Sequence, residues 1–312
     1  MKAPADFGHV YAGLKDFQRD TVEHVAHHLY GENPARRFLV ADEVGLGKTL
    51  VATGVVAKAI EHHLARGTKR IDVVYICSNG DIARQNTTRL VTRLGIPGLD
   101  DVRPIDRMTL LPQAARHLNR QRVNIVALTP GTSFNLRSSE GIARELMLLY
   151  TLLWDEWGSE VLRGNPALRV FAGWSGFSGF AQRARRYRSE ADLDPALSAD
   201  FHKALRQRDR HARKNGEPTL REEFDELRQL FYRERKAKRP REHLDRRRAF
   251  IGELRTVLAR TCIHALQPEL VILDEFQRFK GLLDGTDPAS DLAHVLFDYP
   301  DVRLLLLSAT PY

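Results

Sequence analysis

The residues best suited to chemistry form a glycine-rich octapeptide, DEVGLGKT, that begins at Asp42. Glycines allow backbone N–H groups to approach phosphate oxygens closely, and the amino terminus of a following helix favours anions. The sequence therefore predicts a phosphate loop for ATP in which Gly45 and Gly47 shape the backbone. Lys48 is expected to reach the β- and γ-phosphates, and Thr49 to bind Mg²⁺. The first position of this pattern is usually glycine but is Asp42 here, and the alternative is a plain turn with an exposed lysine.

A pair of carboxylates follows a later apolar run, in the segment Asp274-Glu275-Phe276-Gln277. Phosphoryl transfer depends mainly on positioning and on charge neutralisation. We therefore expect Asp274 to hold Mg²⁺ and Glu275 to orient and deprotonate the attacking water. An Asp-Glu pair alone could equally cap the next helix, but the phosphate loop upstream favours the catalytic interpretation.

Small hydroxyl residues follow the last apolar run, in Ser308-Ala309-Thr310-Pro311. Residues at the carboxyl end of a strand line the ligand crevice of an open α/β sheet. We predict that Ser308 and Thr310 hydrogen-bond Gln277 and couple the ATP site to a nucleic acid.

Short apolar runs are expected to form the strands that position these residues. They are Arg37–Ala41, Asp72–Cys77, Val123–Leu128, Leu270–Leu273 and Val302–Leu307. Stretches with helical periodicity lie between the first of them, at Phe17–Tyr30, Thr49–Arg66 and Ile82–Leu94. Continuous apolar strands separated by helices predict an α/β fold with a doubly wound parallel sheet.

Residues 138–265 interrupt this alternation, because they are charged, favour helix and contain no convincing strand. We therefore expect one α/β domain, built from residues 1–137 and 266–312, that carries a mainly helical insertion at 138–265.

The net charge of +8 is concentrated in the insertion. Residues 181–260 hold 23 basic and 14 acidic side chains, whereas the rest of the chain holds 25 and 26. Clusters such as Arg246–Arg248, with aromatic residues at 173–180, could bind a nucleic-acid backbone and its bases. Mixed charge on helices can equally be a solvated surface, and composition leaves both interpretations open.

Other signals suggest an intracellular protein. No apolar run is long enough to cross a bilayer, so we expect no membrane partner. Cys77 and Cys262 fit neither a disulfide framework nor a zinc site, which favours the reducing cytoplasm. The histidines, including His24 and His62, lack the partners of a metal site.

Together these motifs resemble the first RecA-like domain of the superfamily-two helicases, a P-loop NTPase fold, and DEVGLGKT is most similar to the Swi/Snf-like branch. Residues Ser78–Gln85 resemble the motif that DEAD-box relatives write as PTRELAxQ, and Thr129-Pro130-Gly131 resembles their TPG motif. The resemblance implies backbone contacts to nucleic acid, which fall here on Ser78, Asn79, Gln85 and Thr129. It also places Gln18 where the family reads adenine; the alternative for Gln18 is an exposed helix residue.

The resemblance has limits. The acidic motif reads DEFQ where relatives read DEAD, DEAH or DEGH, and the insertion is longer than usual. The sequence stops at Tyr312, so a second RecA-like domain with its arginine finger is expected beyond that residue or in a partner. Arg278 is a poor substitute for that finger, so this chain alone is expected to hydrolyse ATP slowly.

The resemblance implies an ATP hydrolase that acts as a DNA translocase or helicase. Two alternatives stay open at this point: an RNA helicase, and a nucleotide-dependent regulatory binding module without motor activity.

Overall fold

Five strands form one all-parallel sheet in the computed structural model, which describes residues 6–42, 45–96, 107–136, 140–172, 177–233 and 240–309. The strands are β1 (Arg37–Ala41), β2 (Ile71–Ile76), β3 (Val123–Leu128), β4 (Leu270–Asp274) and β5 (Arg303–Ser308). Their order across the sheet is β1-β5-β4-β2-β3. The predicted parallel α/β sheet is confirmed, and each predicted strand lies within one residue of the observed one.

Helices flank the sheet within the same unit. They are α1 (Gly8–Ala12), α2 (Asp16–Tyr30), α3 (Lys48–Ala65), α4 (Gly80–Leu94), α5 (Ala115–Leu118), α6 (Pro130–Ser133), α14 (Lys280–Asp284) and α15 (Pro288–Phe297). A short 3₁₀ helix occurs at Phe276–Phe279, and another at Met108–Gln113 lies mostly outside this unit, as does the first half of α5. The apolar residues of α2, α3 and α4 share one hydrophobic core with strand residues such as Val73 and Ile272. Each such side chain contributes about 1.5–3 kcal/mol when it is fully buried.

The register of the sheet aligns the carboxyl ends of the strands. Ala41 pairs with Ser308, and Asp274 pairs with Leu307 on the other side of β5. Ile76 of β2 lies between Leu273 and Leu128. The loops that follow all five strands therefore leave the sheet at one edge.

A second compact unit consists of helices. They are α7 (Ala143–Trp157), α8 (Ser159–Leu162), α9 (Asn165–Ala172), α10 (Phe177–Glu190), α11 (Pro195–Lys214), α12 (Leu220–Arg233) and α13 (Arg241–Leu266). Phe224, Leu227 and Phe231 recur at helical spacing along α12, and all three are buried. No strand occurs among the described residues of this unit, and no described helix in the chain is long and apolar enough to span a membrane.

The division between the units differs from the sequence expectation at one segment. The α/β unit comprises Met1–Met108, His117–Phe134 and Leu266–Tyr312, while Thr109–Arg116 belongs with the helices. The Thr109 hydroxyl donates to Glu145 Oε1 (2.5 Å), and Gln113 Nε2 donates to Tyr187 (2.7 Å). These long-range contacts hold the segment in the helical unit, and local sequence gave no sign of them.

Two arginines of the basic segment are buried in ion pairs. Arg247 is 1% exposed, and its guanidinium lies 2.7 Å from Glu140 Oε2. Arg255 is 0% exposed and lies 3.0 Å from Oε1 of Glu145, which is also 0% exposed. Burial lowers the pKa of Arg247, and the Glu140 charge opposes that effect. Neither interpretation of the Arg246–Arg248 cluster anticipated that its central residue lies in the core.

Two other arginines of this unit, Arg246 and Arg188, also contact neighbouring side chains. Arg246 pairs with Glu223 and Glu226, and Arg188 lies over the Trp154 ring at 4.2 Å. These contacts favour the solvated-surface interpretation over a phosphate-binding patch. Most of the predicted cluster at 233–241, and Trp174 among the aromatic residues at 173–180, lie outside the described residues.

Candidate functional site

The glycine-rich loop joins β1 to the amino terminus of α3, and glycine is required at its last turn. Gly47 has φ 86°, and a β-carbon there would lie 2.5 Å from Gln18 Nε2. Gly45 has φ 92° and open space around the equivalent position. Because Gly47 adopts the left-handed conformation, the backbone can turn directly into α3, whose first residues are Lys48 and Thr49.

The charged end of the loop lysine stays close to the loop itself. Lys48 Nζ donates a hydrogen bond to the carbonyl oxygen of Asp42 (3.0 Å). Lys48 is also the first residue of the 18-residue helix α3, whose amino terminus favours anions. This arrangement combines a flexible cation with backbone donors, which is the chemistry that binds phosphate.

Gln18 supports the loop from beneath. Its side chain is 3% exposed, so the exposed-helix alternative is wrong. Its Nε2 donates to the Leu46 carbonyl (2.8 Å), and its Oε1 accepts from the Lys15 N–H (3.1 Å). The amide nitrogen therefore holds the loop and the amide oxygen caps the start of α2, whereas adenine reading was the role expected from the resemblance.

A closed set of hydrogen bonds surrounds Asp274 at the end of β4. Tyr75 Oη donates to Asp274 Oδ2 (2.5 Å), and Asn86 Nδ2 donates to the same oxygen (3.1 Å). Asn86 Nδ2 also donates to Tyr75 Oη (3.2 Å). Burial and then the charge of Asp274 raise the pKa of Tyr75, so the phenol stays protonated and can donate.

Glu275 occupies a strained backbone position. Its φ and ψ are 57° and 44°, a left-handed conformation that costs a non-glycine residue on the order of 1–2 kcal/mol. Oε2 of Glu275 accepts from Ser78 Oγ (2.8 Å) and lies 3.2 Å from Arg278 Nε. Strain of this kind persists only where surrounding contacts impose it, and it concentrates at functional sites.

The hydroxyl at the end of β5 contacts the acidic motif as expected. Ser308 is 1% exposed, and its Oγ donates to Gln277 Oε1 (3.3 Å). The coupling role assigned to this contact stays a prediction. Thr310, the other residue assigned to it, lies outside the described residues.

The residues expected to contact nucleic acid follow β2 and β3. The Oδ1 atom of Asn79 caps α4 by accepting from the Asp81 N–H (2.8 Å), while Gln85 is exposed on that helix. Thr129 Oγ1 shares a hydrogen bond with Thr132 Oγ1 (2.6 Å). Asn79 and Thr129 thus have local roles at helix starts, whereas Ser78 bonds the distant Glu275. A contact of these three side chains with a nucleic-acid backbone would have to share or replace these bonds.

The donor set suits a magnesium ion bound together with a nucleotide. Mg²⁺ prefers oxygen ligands and usually takes one or two from the protein, with waters and phosphates completing its shell. Thr49 offers a hydroxyl and Asp274 a carboxylate, and both are partly exposed. Among the described residues no group of three or more His, Cys, Asp or Glu side chains could hold a metal ion.

Comparisons with protein-family models, with curated proteins and with solved structures gave no match to this chain. The case for a function therefore depends on the residues at the carboxyl edge of the sheet.

Sequence reasoning missed two residues of the site, Tyr75 and Asn86. Tyr75 is one of six consecutive buried residues in β2 and reads simply as core. Asn86 could have been noticed, because it shares the buried face of α4 with Ala83 and Leu90. A polar side chain on an apolar helix face needs a partner, and here the partner is the carboxylate of Asp274.

Proposed function

We propose that the α/β unit is the RecA-like, ATP-binding lobe of a nucleic-acid-dependent ATPase, of the helicase or translocase type, that acts on DNA. One observation carries this proposal. The glycine loop, the acidic pair and the loops that begin at Ser78 and Ser308 lie at one edge of the sheet. Hydrogen bonds from the side chains of Tyr75, Asn86, Ser78 and Ser308 join the acidic motif to its neighbours. Parallel topology alone brings these loops to one edge, but it does not supply the hydrogen bonds from Ser78 to Glu275 and from Ser308 to Gln277, which link the acidic motif to the loops after β2 and β5.

In the proposed reaction Lys48 and the amino terminus of α3 hold the phosphates. Thr49 and Asp274 would hold Mg²⁺, which supplies neutralisation of phosphate charge when it is bound. Glu275 would accept a proton from the attacking water. A second lobe, as the resemblance implies, would contribute arginine side chains to the transferring phosphoryl group.

The first test is nucleotide binding. Replacing Lys48 with Ala should remove most of the affinity for Mg·ATP in titration calorimetry, because the β- and γ-phosphates lose their cation. Lys58→Ala is the matched control, since Lys58 lies on the same helix and pairs with Glu23 (2.7 Å). Equal affinity in wild type and Lys48→Ala would overturn the site assignment.

The second test is chemistry and substrate class. Glu275→Gln should still bind Mg·ATP but hydrolyse it about 10²–10⁴-fold more slowly, because the general base is lost. It should be measured with the second lobe supplied, in the presence of duplex DNA, single-stranded DNA or RNA. Stimulation by duplex DNA supports the translocase proposal, stimulation by RNA alone replaces it with an RNA helicase, and binding without turnover indicates a regulatory module.

A further inference from the structure

The hydrogen bonds around Asp274 reach only one of its two carboxylate oxygens. Oδ2 accepts from both Tyr75 and Asn86, whereas Oδ1 accepts no hydrogen bond from the described residues. A carboxylate that is held by one oxygen cannot rotate without breaking both bonds. The other oxygen therefore keeps one orientation at the edge of the sheet.

The two donors are themselves fixed by their surroundings. Tyr75 is 0% exposed in β2, where it pairs with Ile272 of β4. Asn86 is 8% exposed, on the face of α4 that packs into the core. The bond between Asn86 Nδ2 and Tyr75 Oη closes the triangle, so each donor also restrains the other.

We infer that Tyr75 and Asn86 are positioning residues that orient Asp274 so that Oδ1 remains available for Mg²⁺. Removing a hydrogen-bond partner of a metal ligand typically lowers metal affinity or activity by about 10–100-fold. The inference deepens the proposed function and rests on it, because it presumes that Asp274 binds the metal. A purely structural role would instead leave nucleotide binding unchanged and affect only the stability of the fold.

The experiment measures the gain in nucleotide affinity that Mg²⁺ provides. A fluorescent ADP analogue is titrated into the full chain with Mg²⁺ and, separately, with EDTA. In Tyr75→Phe and Asn86→Ala the gain due to Mg²⁺ should fall by about 10–100-fold, while the metal-free affinity stays at the wild-type value. Tyr75→Phe removes one hydroxyl and keeps the ring, so it preserves the packing of β2.

Asn124→Ala provides the matched control. Asn124 is a fully buried asparagine near the start of β3, at the opposite end of the strand from the candidate site. Its Nδ2 donates a hydrogen bond to Asp72 Oδ1 (2.7 Å). Its loss should lower the melting temperature but leave the Mg²⁺ dependence at the wild-type value.

The possible results separate the inference from the proposed function. A wild-type Mg²⁺ gain in Tyr75→Phe and Asn86→Ala overturns the inference alone. An equal reduction in Asn124→Ala also overturns it, since the effect would then follow general destabilisation. A wild-type protein whose nucleotide affinity does not respond to Mg²⁺ would overturn the proposed function and the inference together.

Discussion

Removing one partner of the buried pair between Arg255 and Glu145 should destabilise the helical unit severely. Arg255 donates to Glu145 Oε1 through Nη2 (3.0 Å) and Nε (3.2 Å), and through Nη1 to the Leu136 carbonyl (2.7 Å). In Arg255→Met the carboxylate keeps its bonds from Thr109 and Ile142 but loses the guanidinium charge of Arg255. A buried charge without its ion-pair partner lowers the free energy of unfolding by about 3–5 kcal/mol. A typical domain has a free energy of unfolding of only about 5–15 kcal/mol.

Urea unfolding followed by tryptophan fluorescence measures this loss in the relevant unit. All three tryptophans, Trp154, Trp157 and Trp174, lie in the insertion. For an m-value of about 2 kcal/mol/M, the midpoint should fall by about 1.5–2.5 M in Arg255→Met. Arg186→Met is the matched control, because its pair with Glu190 is exposed (75% and 60%) and should contribute at most about 1 kcal/mol.

A double-mutant cycle distinguishes the ion pair from simple loss of packing. Glu145→Gln alone removes the carboxylate charge beside Arg255, but the new amide oxygen can still accept from Ile142 or Thr109. The double variant Arg255→Met/Glu145→Gln contains neither buried charge, so it should recover about 2–3 kcal/mol relative to the sum of the single variants. Additivity within about 0.5 kcal/mol would refute the electrostatic argument.

Three further expectations follow from other residues. Replacing Arg246 and Arg248 with Gln should leave the salt dependence of DNA binding unchanged and lower the free energy of unfolding by at most about 1 kcal/mol each, whereas Arg247→Met should lower it by about 3–5 kcal/mol. A shallower salt dependence of DNA binding in the Arg246→Gln/Arg248→Gln variant would restore the phosphate-binding interpretation. Burial raises the pKa of Asp72 from 3.8 to about 6, so the folded state holds that proton more tightly and should lose stability as pH rises from about 4 to about 6. Chemical unfolding across this range should show a smaller decline in Asp72→Asn, and identical profiles would contradict the assignment. Gln18→Ala should weaken ATP and GTP binding equally in competition titrations, because its amide holds the loop; a selective loss of ATP would instead support adenine reading.

The sheet and the order of the site motifs could be predicted from sequence because both depend on local patterns. Fully buried parallel strands are continuous apolar runs, and Val123–Leu128 is read directly from such a run. The glycine loop and the acidic pair each follow a strand, so their meeting at one sheet edge follows from parallel topology.

The contacts that hold the site and the insertion together could not be predicted in this way. Arg255 and Glu145 are 110 positions apart, and nothing in either local sequence distinguishes them from exposed charges nearby. The bond from Gln18 to the loop could not be predicted because its partner, the Leu46 carbonyl, is a backbone atom with no side-chain signature. In both cases tertiary packing determines the role of the residue, so the sequence predicts where charge accumulates but not which charges are buried.

The hydrogen bond from Ser78 to Glu275 has a consequence for how two ligands could influence each other. A serine hydroxyl carries one proton, so Ser78 can donate it to the Glu275 carboxylate or to a phosphate oxygen, but not to both. If nucleic acid takes that proton, Glu275 loses one of the contacts that hold its side chain, and the two events become thermodynamically linked. Linkage is reciprocal, so removing the competing acceptor in Glu275→Ala should tighten DNA binding, and that gain should vanish when Ser78→Ala is added. Unchanged DNA affinity in Glu275→Ala, measured by fluorescence anisotropy, would mean that the proton is not shared.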